Sequence, residues 1–287
     1  MRVDIHVHPT FYESINRDPA REEIRHRVVD IHKNGLAPLE HIRNQMSCAR
    51  LDRLTLLAQV YPADSGGALV SNDEVAALVR QSPDLFFGLG SVDPLDPGAS
   101  EEAERALGEL GLLGLALYPA AGKFRLNDPR LEPIWSICRR YDRPVLLHLG
   151  MTWEPGQYLC WGNPLSVEPL AMVHPDLRIC ITRFGWPWVR ETAALLLKYP
   201  NLYADTGVLY FDCAREFYQQ TFTRDIPVTW LDRSLRHQVL FGSDNPRFEQ
   251  IRMATAMEAL GLRENTLELI MGDNALEFLG LREVHRD

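Results

Sequence analysis

Short apolar runs recur along this chain, separated by stretches whose apolar positions fall three and four residues apart. The runs with strand character are Val3–His8, Leu54–Val60, Phe86–Val92, Leu113–Tyr118, Pro144–Leu149, Leu177–Thr182, Leu202–Asp205 and Val239–Ser243. They are short and rich in Val, Ile, Leu and Phe, which fits strands buried on one or both faces. The stretches between them carry helix signals. Ser100 is placed to cap a helix with Glu101 and Glu102 in its first turn and Ala103, Ala106, Leu107 and Leu110 as its apolar stripe. Asp128 and Pro129 read as an N-cap and a first helical position ahead of Leu131, Ile134, Trp135 and Cys138. Val189, Ala193, Leu196 and Leu197 repeat the helical spacing until Pro200 ends it. A helix follows Pro246 and stops near Gly261, and Asn265 starts the last one, running toward Leu279.

Strand–helix alternation with eight strands predicts an α/β fold, a parallel (β/α)8 TIM barrel. An open doubly wound sheet would want a Gly-rich phosphate loop after its first strand, and "HVHPTFYES" is not one. With no repeat, low-complexity tract or Gly/Ser linker, one domain spanning 1–287 is expected.

Composition narrows the partners. A formal charge of −9 argues against nucleic acid or an anionic membrane as the main partner. Five scattered cysteines without a CxxC argue against a disulfide framework or a thiolate zinc site. No run of about 18 apolar residues exists, and the first strand leaves no room for a signal peptide, so a cytoplasmic protein is expected.

The barrel reading says where chemistry belongs, because the βα loops gather at the C-terminal ends of the strands. In "MRVDIHVHPT" the residues Val3, Ile5 and Val7 alternate with Asp4, His6 and His8, which puts both imidazoles on one face. The other strand ends supply Tyr118, His148, Arg183, Asp205 and Asp244. Three imidazoles and a carboxylate from strands one, five and eight suit a zinc-like divalent ion with positions left open for water or substrate. Each also has a purely structural explanation: His148 as a buried histidine on a backbone carbonyl, Asp244 as a cap or Asx-turn before Pro246. It is their joint placement on one rim that favours the metal.

With those residues in place, the chain resembles the amidohydrolase superfamily, in the branch containing aminocarboxymuconate-semialdehyde and resorcylate decarboxylases together with lactonases and other hydrolases. "DIHVHP", "LNDPRLEPIWSICRRYDRPVLLHLG", "HPDLRICITRFGWPW", "NLYADTG", "VLFGSDNPR" and "IMGDNALEFLG" carry the resemblance over nearly the whole chain. It implies that His6, His8, His148 and Asp244 bind one divalent metal, zinc first and manganese second, and that Asp244 shuttles a proton. It implies a small carboxylated substrate, with hydrolysis of an ester, lactone or amide as the first reading and non-oxidative decarboxylation as the second. A homodimer is also implied. Trp186 and Tyr118 are candidate substrate contacts, while Asp205 and Trp188 receive only pocket or packing roles.

Two departures from the family pattern matter. "GLALYP" stands where relatives carry "GIKLHP", so Ala116 removes any carboxylated-lysine binuclear site. "RFG" stands where the family reads "HLG", which puts Arg183 in place of the histidine that activates metal-bound water. A guanidinium stays protonated and cannot be a base. At about 5 Å from a divalent ion and an effective dielectric near 20, its repulsion is on the order of 6 kcal/mol unless an anion lies between them. Three arrangements stay open. Arg183 grips a substrate carboxylate beside the metal; or it pairs with Asp244 in a metal-free binding protein; or it points outward and stacks on a tryptophan.

Metal-cluster phosphoesterases also begin with HxH on a barrel strand, but this chain has no second paired-histidine motif. The long connections 9–50, 150–176 and 206–237 are candidate lids, with Trp153, Tyr158, Trp161, Tyr210 and Phe211 as pocket candidates. His26, His32 and His41 are expected on the surface.

Overall fold

The computed structural model describes residues 1–30, 35–154, 156–207 and 213–282. His32, Tyr210 and Phe211 lie outside the described residues. The barrel strands are β1 (Val3–Val7), β2 (Arg53–Leu57), β3 (Phe86–Leu89), β4 (Leu115–Leu117), β5 (Val145–Leu147), β6 (Ile179–Ile181), β7 (Leu202–Asp205) and β8 (Val239–Leu240). β1 to β3 pair in one parallel run and β4 to β8 in another. Two narrow seams close the ring. Gly90 bridges to Leu115, with the Ala116 N–H donating to Gly90 O at 2.7 Å. β1 meets the chain beyond β8, where the Ile5 N–H donates to Phe241 O at 3.0 Å and the Asp244 N–H to His6 O at 2.9 Å.

Inside the ring, Ala116, Leu146, Cys180 and Tyr203 are register partners across four strands and are all buried. Two residues further along β4 and β5 the pleat brings up Tyr118 and His148, so strand periodicity carries these side chains to the rim.

Most strands are shorter than the apolar runs that foretold them. Tyr118, His148, Leu149, Thr182 and Ser243 are buried although they have left the ladder. Loops cover them, and hydropathy reports that cover rather than pairing. The expected run Leu54–Val60 splits: Gln59–Val60 forms an antiparallel hairpin with Ala68–Val70 instead of extending β2.

Helix ends show the same mixture. Asp128 caps as expected, accepting from the Arg130 N–H at 3.0 Å, and the helix Val189–Lys198 stops before Pro200. Ser100 does not cap: the helix Ala99–Glu104 begins two residues earlier than that cap would place it, with Gly98 at its N-cap. The last helical stretch starts at Glu264 rather than Asn265.

The connection after β1 packs through Ile24 and Val28, which lie against the core, and through a buried cation. Arg25, on the helix Pro19–Val29, is 1% exposed. Its guanidinium donates to Leu69 O (2.7 Å), Ile15 O (2.8 Å), Asn16 Oδ1 (2.8 Å) and Glu74 Oε1 (2.7 Å). These bonds tie the first connection to the hairpin after β2. A buried arginine is tolerated when its donors are matched in this way.

Candidate metal centre

His6, His8, His148 and Asp244 come together at the C-terminal rim, each offering one ligand atom, with all four atoms within 4.8 Å of one another. All four residues are buried. His6 and His8 stand two positions apart and share one face; their Nε2 atoms face each other at 3.1 Å. Two lone pairs cannot face each other at that distance without a proton or a cation between them. Nitrogens about 2.0–2.1 Å from one ion at right-angled to tetrahedral positions would stand roughly 2.8–3.4 Å apart. His148 Nε2 is buried with no hydrogen-bond partner, and a buried polar atom left that way is costly unless something else fills its lone pair. The residues present fit a divalent ion bound by nitrogen and oxygen.

Asp4 does not join the group. Its carboxylate accepts from the Ser243 hydroxyl (2.6 Å), the Ser243 N–H (3.0 Å) and the Gln250 amide (2.9 Å), which locks β1 to the chain after β8.

Asp205 has a larger part than packing. His6 Nδ1 donates to its Oδ2 at 2.9 Å, while its Oδ1 accepts from the backbone N–H groups of Arg183 (2.8 Å) and Gly207 (2.9 Å). A carboxylate behind a ligating imidazole fixes its tautomer and turns the other nitrogen toward the site. The "NLYADTG" motif placed Asp205 at a strand end; its partner on β1 was not visible in one dimension. Gly242 makes room for this contact, since a Cβ there would lie 2.9 Å from His6 Cβ.

Arg183 is 1% exposed and points inward, which overturns the arrangement stacked on tryptophan outside the barrel. Arg183, Phe184 and Gly185 take left-handed backbone angles in succession (φ 57°, 45° and 61°). Non-glycine residues adopt this conformation only when their surroundings over-determine it. The turn brings the guanidinium onto Asp244: Nε donates to Oδ2 at 3.0 Å, Nη2 lies 2.8 Å from the same oxygen, and Nη1 donates to Met151 O at 2.6 Å. Asp244 is itself left-handed (φ 62°) and does not cap a helix. Its other oxygen, Oδ1, faces His6 Nε2 at 3.4 Å and His8 Nε2 at 3.3 Å. The carboxylate therefore stands between the guanidinium and the histidines, as an anion must if a cation is to be held there too.

Burial opposes a charge on Asp244, but the Arg183 guanidinium and the two imidazoles outweigh it and hold the carboxyl well below its ordinary range. Burial also opposes charge on His6, yet Asp205 and Asp244 hold its pKa above the usual value. His148 is pushed well below the histidine range by burial and by the nearby Arg183 charge. His8 is lowered, chiefly by burial.

Tyr118 walls the cluster, its ring 5.0 Å from that of His148, and its hydroxyl donates to Ala58 O at 2.7 Å. Trp186 is half-buried and packs on Phe217 at 5.4 Å between ring centroids. Of the loop aromatics, Tyr158 is 68% exposed and lines nothing at the cluster, whereas Trp153 is half-buried beneath Arg247.

Residues 3–281 match the amidohydrolase family, and the chain belongs to it. It is 25% identical over 234 residues to 2-amino-3-carboxymuconate-6-semialdehyde decarboxylase of Dictyostelium discoideum, covering 73% of this chain and 65% of that protein. It is 26% identical over 160 residues to 2-keto-4-carboxy-3-hexenedioate hydratase of Sphingobium sp. (strain NBRC 103272 / SYK-6), covering 47% of each. The matched regions thus span about two-thirds and about half of those relatives. Among solved structures, an uncharacterised TIM-barrel protein from Bordetella bronchiseptica superposes with a TM-score of 0.73 at 20% identity, over 98% of both chains. The 5-carboxyvanillate decarboxylase of Novosphingobium aromaticivorans, complexed with manganese and 4-hydroxy-3-methoxy-5-nitrobenzoic acid, gives 0.62 at 16%, over 98% of this chain and 96% of its own. At these identities the structures speak for the fold. Among the described residues, no helix is long and apolar enough to cross a membrane.

Proposed function

We propose that this protein is a metal-dependent carboxy-lyase acting on a small carboxylated compound, with His6, His8, His148 and Asp244 holding one divalent ion. Zinc is the first choice for this nitrogen-rich set, and manganese, the ion named with the Novosphingobium decarboxylase, the second. The observation that carries the choice of reaction is the pair between Arg183 and Asp244.

Hydrolysis requires a group that takes a proton from water. Arg183 cannot do so, and Asp244, gripped through Oδ2 and held far down in pKa, is a poor acceptor. Decarboxylation needs no attacking water: the bond to CO2 breaks, its electron pair stays on the substrate carbon, and that carbon then takes up a proton. When bound, the ion would supply Lewis-acid polarisation of a substrate oxygen. Asp205 orients His6, Arg183 fixes Asp244 as an anion, and Tyr118 shields the cluster beside His148. The relatives named as a decarboxylase and a hydratase support lyase chemistry beside a carboxylate over the hydrolysis that the motifs put first. The metal-free binding arrangement gains the Arg183–Asp244 pair but leaves His148 Nε2 without a partner.

The test is elemental analysis of protein purified without chelator, beside His6→Ala/His8→Ala, followed by a carbon dioxide release assay on carboxylated aromatics. About one zinc or manganese per chain, absent from the variant, is expected. No ion in either sample after adding both metals would overturn the reading. Ester or lactone hydrolysis without carbon dioxide release would restore the hydrolase.

A further inference from the structure

The geometry points to an anion subsite at the mouth of the barrel, formed by Arg27 and Lys123, that takes the far carboxylate of a dicarboxylic substrate. It deepens the proposed function and rests on it for the near end of that substrate.

A cavity of about 310 Å³ opens among the connections that follow β1, β2, β4 and β5, with Arg27, Asp64, Ala121, Lys123 and Glu154 in its wall. Two short segments join this wall to the histidine cluster. Tyr118, whose ring is 5.0 Å from that of His148, immediately precedes the helical turn Pro119–Gly122, and Lys123 ends that turn at φ 51°. At about 1.5 Å of rise per helical residue, Lys123 stands roughly 8 Å along the chain from Tyr118. The second segment runs from His148 at the end of β5 to Glu154. Glu154 is close enough to Arg183 and Tyr118 for its charge to act on both. The wall thus lies within a few residues of the cluster along two segments, and a compound with its reacting end at the cluster can extend toward it.

The charges in the wall are unequal in kind. The Glu154 side chain is only 7% exposed; its Oε1 lies 3.9 Å from the Arg247 guanidinium, and its Oε2 accepts from the Trp153 N–H at 3.1 Å. Its charge is thus offset within the protein. Asp64 is exposed, where solvent screens it, and accepts from the Ser65 hydroxyl at 3.0 Å. Arg27 and Lys123 are also exposed, and neither has an ion pair or side-chain hydrogen bond among the described residues. Arg27 and Lys123, a guanidinium with a planar fork and an ammonium as a point charge, face the cavity without a partner among the described residues, while its two carboxylates are exposed or already engaged. They suit a carboxylate held by charge-assisted bonds.

The test is calorimetric titration of the purified protein with glutarate and adipate against pentanoate and hexanoate, for the wild type, Arg27→Gln, Lys123→Gln and the double variant. In the wild type each dicarboxylate should bind about tenfold or more tighter than the monocarboxylate of equal length. Each single variant should cut that preference several-fold, and the double variant should abolish it. Glu154→Gln, which removes the nearest buried negative charge, should strengthen dicarboxylate binding. Both cations are exposed, so unchanged melting temperatures are expected and lost binding is not lost folding. Equal affinity for the two ligand classes in the wild type, or a preference that survives the double variant, would overturn the subsite. Metal content separates the two readings. A preference lost with the cations in a protein that takes up no metal would keep the subsite and sink the lyase; one ion per chain with no preference would do the reverse.

Discussion

His6 and His148 sit on opposite sides of one cluster, their rings 5.4 Å apart, and the protein treats them in contrary ways. On the side built by β1, β7 and the chain after β8, carboxylates and hydrogen bonds are dense. His6 donates to Asp205, Asp205 also holds the Arg183 and Gly207 backbone, and Asp244 is shared between Arg183 and two imidazoles. On the side built by β4 and β5, His148 meets aromatic rings and has a bare Nε2. The first side raises the affinity of its histidine for a proton, and the second lowers it. A binding site needs both halves. The hydrogen-bonded half can be assembled before any ligand arrives, while the bare nitrogen is stabilised only when an electrophile binds it.

The largest break in this contrast should come from Asp244→Ala, which strands a buried Arg183. Losing one partner of a buried ion pair costs about 3–5 kcal/mol, to be read as a lower urea midpoint in metal-free protein. Adding Arg183→Met to that variant should return part of the loss, and equal instability of single and double variants would deny that the pair is coupled.

Replacing each histidine by leucine in metal-free protein sharpens the comparison directly. His6→Leu removes a donor from buried Asp205 and should cost about 1–3 kcal/mol. His148→Leu removes an unpartnered polar atom and should be near neutral in stability, while abolishing metal uptake. Equal destabilisation by the two would mean that the halves are alike.

A graded loss of metal affinity is expected from Asp205→Asn. The amide keeps one acceptor oxygen, so it can serve His6 or the backbone N–H groups of Arg183 and Gly207 but not both, and it no longer carries the charge that strengthens the imidazole. Metal affinity, measured by competition with a chelating dye, should fall about 10–100-fold. An unchanged affinity would reduce Asp205 to a backbone clamp for Arg183 and Gly207.

Much of this was legible in one dimension. The first, fifth and eighth strand-end motifs named all four members of the cluster, because strand periodicity and the barrel rule together place such residues on one rim. Strand ends were less legible, since rim residues such as Tyr118 and Thr182 stay buried beyond the ladder and look like strand to a hydropathy pattern. The hairpin after β2 was hidden for the same reason: Gln59 and Val60 continue an apolar run while pairing elsewhere.

The sequence by itself determined the architecture, the identity of the three imidazoles and the carboxylate, and the presence at position 183 of a side chain that stays protonated and cannot act as a base. Local periodicity and side-chain chemistry suffice for those. Only the tertiary structure decided what Arg183 does. Three left-handed residues in a row turn its guanidinium inward, and the fold brings in Asp244 from 61 positions away to receive it. The same holds for Asp205 behind His6, 199 positions apart in the chain. Hydrogen bonds of that span depend on the closing of the barrel, and no local pattern of polar and apolar residues encodes them.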